Sequence, residues 1–188
     1  MLTVNEQHEY SWNGRRVPSV TQLIRLLAPR DFEVDEYYKK RGTIIHTICQ
    51  WEDTGELEPS SVDPTLIGFL GAWRKFKTDT GFEIIGIEKS LYHRSYDYAG
   101  RIDRYGKLNK TPVIVDLKTG QPHPSDLLQA PAYMFLLKAN KIKCEKAFDL
   151  YLKGNGNYRL EEVKEPTKKF MEFQLGIQKW RKENNGNL

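Results

Sequence analysis

Hydrophobic positions recur along this chain with two different periods. "HEYSWNGRRVPS" (residues 8–19) alternates apolar and polar residues around Asn13-Gly14, a pair that favours a tight hairpin turn. The period then lengthens. In "PSVTQLIRLLA", Val20, Leu23, Ile24 and Leu27 share one helical face, and Ser19 is placed to cap it. Tyr37, Tyr38, Ile44, Ile45, Ile48 and Trp51 predict a longer helix from about Val34 to Asp53. Gly42 weakens that helix unless something must approach its backbone closely. "EPSSVDP" reads as a loop, and "TLIGFLGAWRKFKTDTG" as an amphipathic helix stopped near Gly81.

Three strands follow: "FEIIGIEKSLYH", "YDYAGRIDRYG" and "TPVIVDLKTG", with a turn at Asn109 and Pro112 at a strand start. A helix is predicted from Ser125 to about Ala139, kinked by Pro131. "AFDLYLKGNGNYRLEEV" reads as a hairpin around "GNGN", and "EPTKKFMEFQLGIQKWRKENNG" as a terminal helix starting near Thr167. This order predicts an α/β fold with helices packed on a mixed sheet. The expected organisation is a single domain: a hairpin and helix over 1–33, a core over 34–140, and a hairpin with a terminal helix over 141–188.

Composition narrows the function classes. Apolar residues make up 39% and charged residues 29% of the 188, a soluble globular balance. No apolar run is long enough to span a bilayer, and the N-terminus has no basic segment followed by an apolar one. The expected setting is therefore the cytoplasm, or an organelle matrix after loss of a targeting segment, with no membrane partner. Cys49 and Cys144 are too few for a structural zinc or iron–sulfur site and are expected to be buried free thiols. The net charge of +4 lies at one end. Residues 141–188 hold 11 Lys and Arg against 7 Asp and Glu, which leaves 18 of each sign elsewhere. A polyanionic partner suits that surplus.

The carboxylates in the strands carry the chemistry. Asp116 and Lys118 lie two apart on one strand and share a face, and an antiparallel partner strand brings Asp103 beside Asp116. Two such acids repel unless a cation lies between them, and oxygen ligands of this kind suit magnesium or manganese. The backbone carbonyl of Leu117 is expected to complete the set. Lys118 then either holds an attacking water or neutralises charge on a phosphate oxygen. The D-x-K triplet alone is unspecific: Glu162-Val163-Lys164 also fits it and reads as a solvated face.

Four segments in order make the pattern specific: "RGTIIH" (41–46), "GRID" (100–103), "VDLKTG" (115–120) and "QAPAY" (129–133). Together they resemble the successive motifs of the RecB-like branch of the PD-(D/E)XK nucleases. "RRVPSVTQLI" also resembles a segment preceding the core in the branch that includes the mitochondrial genome maintenance exonuclease and its phage and bacterial relatives. The resemblance implies a PD-(D/E)XK core and a role for each matching position. His46 resembles the extra metal ligand, which tilts the choice toward manganese. Asp103 and Asp116 resemble the carboxylate ligands and Lys118 the catalytic lysine. Gln129 and Tyr133 resemble a pair that positions DNA or the lysine, and Glu88 a further acid. Arg41 and Arg101 flank the motifs, where phosphate contact competes with an ordinary surface role.

The implied activity is a metal-dependent DNA exonuclease acting on single strands or DNA ends in recombination, repair or replication. An endonuclease of the same fold and a non-cleaving DNA-binding module are the alternatives. Some relatives carry a four-cysteine iron–sulfur cluster, which two cysteines do not support. Pro131 departs from a regular helical "QAPAY". No helicase part is present, so the chain acts alone or with a separate recombination or replication protein. Trp51 and Trp73 fall on apolar helix faces and are expected in the core.

Overall fold

The computed structural model describes residues 1–5, 7–28 and 35–184. Strands β1 (Leu2–Val4), β2 (Tyr10–Trp12) and β3 (Arg15–Val17) form a small antiparallel sheet in that order. The β2–β3 turn places Asn13 and Gly14 at φ of 50° and 81°, the left-handed backbone that this dipeptide tolerates. Helix α1 (Val20–Leu27) starts in a capping box in which Ser19 and Gln22 satisfy each other's backbone N–H. The unit is pinned to the main sheet by the Ala99 N–H donating to Pro18 O at 2.9 Å and by Trp12 stacking on Tyr92 at 4.4 Å.

The main sheet has five strands in sequence order: β4 (Glu83–His93), β5 (Tyr98–Leu108), β6 (Thr111–Lys118), β7 (Lys146–Leu152) and β8 (Tyr158–Glu162). All neighbours are antiparallel except β6 and β7, which are parallel. The parallel pair needs a crossover, supplied by α4 (Asp126–Ala139). A core of Leu23, Ile102, Ile114, Leu136 and Phe173 packs α1, α4 and α5 (Pro166–Asn184) on the sheet. A second core of Ile45, Ile48, Trp73, Phe76, Val115 and Leu150 packs α2 (Glu36–Thr54) and α3 (Ile67–Thr80). The result is the expected α/β architecture with a mixed sheet between helices.

Three expectations need correction or refinement. Helix α2 is present, but Tyr37, Tyr38, Ile44 and Trp51 are exposed, so Trp51 is not a core residue. Its buried positions are Ile45, Ile48 and Cys49, and the inward face also carries His46 and Asp53. Inward His46 and Asp53, paired with Asp103 and Arg104, defeat a purely apolar periodicity. The predicted start at Val34 lies outside the described residues. Helix α4 runs through Pro131 from Asp126 to Ala139. The carbonyl that Pro131 leaves without a helical donor belongs to exposed Leu127, where water can satisfy it. The "EPSSVDP" loop contains a short 3-10 turn at Pro59–Ser61. Both cysteines are buried free thiols, as expected.

Candidate active site

The site forms where the β5–β6 ladder stops. The ladder ends with Arg104 paired to Val115, so Asp103 and Asp116 sit one step beyond it. Asp103 Oδ2 accepts a 2.8 Å hydrogen bond from the Leu117 N–H, and its Oδ1 lies 3.5 Å from His46 Nδ1. On the other side of β5, Ile87 pairs with Arg104 and Lys89 with Ile102, which sets Glu88 opposite Asp103. Glu88 has φ of 46°, a left-handed conformation strained for this residue type inside a strand. His46, Glu88 and Asp103 each offer a ligand atom, all within 4.8 Å of one another.

The electrostatics follow from burial and neighbours. Burial disfavours the Asp103 charge, but the His46 interactions and the Leu117 N–H outweigh it and hold the carboxyl at about 2. His46 moves the other way: burial lowers its pKa, and Asp103 more than restores it, so the net shift is upward. Glu88 is raised, first by burial and then by the Asp103 charge, with Arg104 and Arg101 opposing. The two carboxylates repel as anions, and with the imidazole beside them they invite a cation. The donor set of one ring nitrogen and two carboxylates fits manganese or magnesium.

Asp116 and Lys118 form a second group on the same edge. Lys118 Nζ lies 2.5 Å from Asp116 Oδ2 and donates to Gln129 Oε1 at 2.7 Å. Gln129 Nε2 in turn donates to Tyr133 Oη at 3.3 Å and reaches Asp116 Oδ1 at 3.5 Å. Gln129 and Tyr133 are one helical turn apart, so α4 delivers both to the lysine. Burial pushes Asp116 up to about 7, with Lys118 pulling down and Asp103 pushing up. Burial alone would depress the Lys118 pKa, but Asp116, Asp126 and Asp149 raise it above the ordinary lysine value. These acidic neighbours favour the charged ammonium form of Lys118.

His46, Glu88 and Asp103 form the tight cluster, and Asp116, also expected as a ligand, lies beside them with its Oδ2 toward Lys118. Leu117, expected to offer its carbonyl, meets the site with its N–H on Asp103 Oδ2. Arg41 donates from Nη2 to Thr119 O at 3.0 Å and stacks on Tyr38 at 4.9 Å. Arg101 Nε sits 3.0 Å from Glu88 Oε2. The Glu162 and Lys164 pair lies 3.5 Å apart, with Lys146 also on Glu162, a surface ion pair as expected.

Two motif glycines have steric reasons. A Cβ on Gly42 would come 3.3 Å from Thr119 Oγ1, which is the close approach anticipated on α2. A Cβ on Gly100 would sit 2.6 Å from the Tyr133 ring, so the glycine of "GRID" makes room for the tyrosine of "QAPAY".

Four polar residues escaped the sequence reading. Asp53 and Arg104 form a fully buried ion pair at 2.7 Å. Asp53 lies two turns after His46 on α2, and Arg104 directly follows Asp103; both offsets were readable. Asp149 pairs in register with Asp116 across the parallel β6–β7 ladder. Both its oxygens are buried without a hydrogen-bond partner, and burial with the Asp116 charge pushes it up to about 8. A lone acid in the apolar run "AFDLYL" was the signal. Asp126 Oδ2 accepts from the His123 N–H and from the Tyr151 hydroxyl.

The group opens into a cleft of about 1520 Å3. His46 and Lys118 line it with Arg25, Lys39, Arg41, Lys153 and Arg159, and Asp126 is the only acid among the described lining residues. Such a wall attracts a polyanion. Among the described residues no helix is long and apolar enough to cross a membrane.

Comparison with known proteins places the fold and site in a family. The model of the PD-(D/E)XK nuclease superfamily matches residues 61–184, and the chain belongs to that superfamily. The match covers α3 to α5 and begins after α2, the helix that carries His46. No curated protein matches the chain by sequence. Among solved structures it is similar to an alkaline exonuclease from Laribacter hongkongensis, with 11% identity over 90% of this chain and 94% of that one and a TM-score of 0.44. The complex of that enzyme with dAMP gives 13% identity, 92% and 95% coverage, and a TM-score of 0.43. The structure of SSO0001 gives 19%, 88%, 76% and 0.44.

Proposed function

We propose that this chain is a divalent-metal-dependent deoxyribonuclease that acts as an exonuclease on single-stranded DNA or DNA ends. The observation that carries the reading is the His46–Glu88–Asp103 cluster beside the Asp116–Lys118 pair, with His46 and Lys118 lining a basic cleft. His46, Glu88 and Asp103 are the residues that would hold Mn2+ or Mg2+. When bound, the ion supplies Lewis acidity to a phosphoryl oxygen and lowers the pKa of water. Lys118, held charged by its acidic neighbours, opposes negative charge developing on the scissile phosphate. Gln129 and Tyr133 fix the direction of its ammonium. The cleft cations hold the phosphates to either side. A role in recombination, repair or replication, alone or beside a separate partner protein, follows from this activity.

The test is end-labelled single- and double-stranded DNA with manganese, magnesium or EDTA, together with a His46→Ala variant. A ladder that shortens from one end in metal and stops in EDTA is expected. Discrete internal bands, or cutting of circular single-stranded DNA, would convert the reading to an endonuclease. Retardation without cleavage under both metals would leave a DNA-binding module.

A further inference from the structure

Behind the cluster lies a second, fully buried layer. Arg104 is 0% exposed. Its Nε donates to Asp53 Oδ2 at 2.7 Å, and its Nη1 donates to Glu88 Oε1 at 3.0 Å and to Asp103 O at 2.6 Å. One guanidinium thus touches both acidic members of the cluster and a buried carboxylate on the helix that carries His46. Asp53 is itself locked by the Trp73 Nε1–H at 2.9 Å and Lys77 Nζ at 2.7 Å. The outer oxygen of Glu88 meets Arg101.

We propose that Arg104, anchored on Asp53, is a positioning residue that fixes the Glu88 carboxylate as the third arm of the metal cluster. The proposal rests on the metal-site reading above. An ion pair made for stability alone would be complete with Asp53. Arg104 instead reaches onward to Glu88, where the strand is held at φ of 46°. Left to itself, a glutamate in a strand relaxes from that conformation, and its charge swings away from Asp103. The guanidinium fork opposes both movements, because its planar N–H groups grip Asp53 and Glu88 together. Each Glu88 oxygen has a second lone pair, so accepting from arginine leaves it able to ligate.

The experiment measures Mn2+ affinity by calorimetry on chelator-treated protein, beside a thermal melt. The variants are Arg104→Lys, Glu88→Gln and the pair together. Arg104→Lys is expected to fold and to bind Mn2+ at least about tenfold more weakly than wild type, the scale typical of residues that orient ligands. Adding it to Glu88→Gln is expected to cause no further loss, since Arg104 acts through Glu88. Affinity for Arg104→Lys within about twofold of wild type overturns the proposal, as do losses that multiply in the double variant. Should Arg104→Lys not fold, Asp53→Asn takes its place with the same two outcomes. A wild-type protein that binds no Mn2+ overturns the metal reading and this proposal with it. That failure is distinct from one in which wild type and Arg104→Lys bind alike.

Discussion

Asp116 and Lys118 are one unit: Oδ2 and Nζ lie 2.5 Å apart, and the Asp116 side chain is fully buried. The two partners differ in their replacements. Removing Asp116 leaves Lys118 with Gln129 and the nearby charges of Asp126 and Asp149. Removing Lys118 leaves Asp116 and Asp149 facing each other in register with no cation between them. Lys118→Met is therefore expected to lose about 3 kcal/mol of stability, the scale for breaking a buried pair. Asp116→Asn is expected to change metal-free stability by under about 1 kcal/mol, because relieved repulsion offsets the lost pair. Urea unfolding of both variants in EDTA checks the asymmetry, and cleavage is lost in both. Equal large losses would mean that Asp149 and Asp126 do not compensate.

Gly100 and Gly42 should respond differently to alanine. At Gly100 the added methyl meets the Tyr133 ring at 2.6 Å inside the core, so a loss of about 1–3 kcal/mol is expected from overpacking. At Gly42 the obstacle is the Thr119 hydroxyl at 3.3 Å, a side-chain atom able to rotate, and alanine improves helix propensity. Thermal melts should rank Gly100→Ala clearly below Gly42→Ala. Gly100→Ala should also lose more cleavage, since it displaces the tyrosine that meets Gln129.

His93 gives a pH signature away from the site. It is buried, stacks on Tyr98 at 5.3 Å, and accepts from the Tyr96 N–H. Burial lowers its pKa below the ordinary imidazole value of about 6.5. The unfolded chain therefore takes up a proton at a higher pH than the folded one. The stability that neutral His93 contributes is present above about 6.5 and is lost as pH falls from there through the folded value. The melting-temperature advantage of wild type over His93→Asn should shrink between about pH 8 and 5. A gap that widens on acidification would contradict the assignment.

Cleft charge predicts a salt effect. Lys153 and Arg159 line the cleft, and Arg159 pairs with Glu161, away from the cluster. Lys153→Ala should weaken binding of single-stranded DNA in EDTA for any sequence and reduce the log–log salt slope by about 0.7. An unchanged slope would place the DNA elsewhere.

Much of the molecule was legible because its patterns are local. The change of period at residue 82, the Asn13-Gly14 turn and the order of strands and helices all follow from short-range rules. The catalytic neighbourhood was legible for the opposite reason: Asp103, Asp116 and Lys118 violate strand preference, and a violation marks a site. What escaped needed three dimensions. Glu88 was named only through the family resemblance, because the strand irregularity between Ile84 and Gly86 and its own left-handed backbone have no sequence mark. Arg104 looks like a surface residue of an alternating strand until Asp53 is seen two turns along α2 from His46. Trp51 and Ile44 were misplaced because α2 turns its polar residues inward.

The central claim is that His46, Glu88 and Asp103 hold one divalent cation beside Lys118. Anomalous diffraction from a manganese-soaked crystal tests it most directly. The account predicts a peak bonded to all three side chains at about 2.0–2.6 Å, the range for nitrogen and oxygen ligands. A peak on Asp116 and Asp149 with the His46 cluster empty, or no ordered manganese at all, would contradict it.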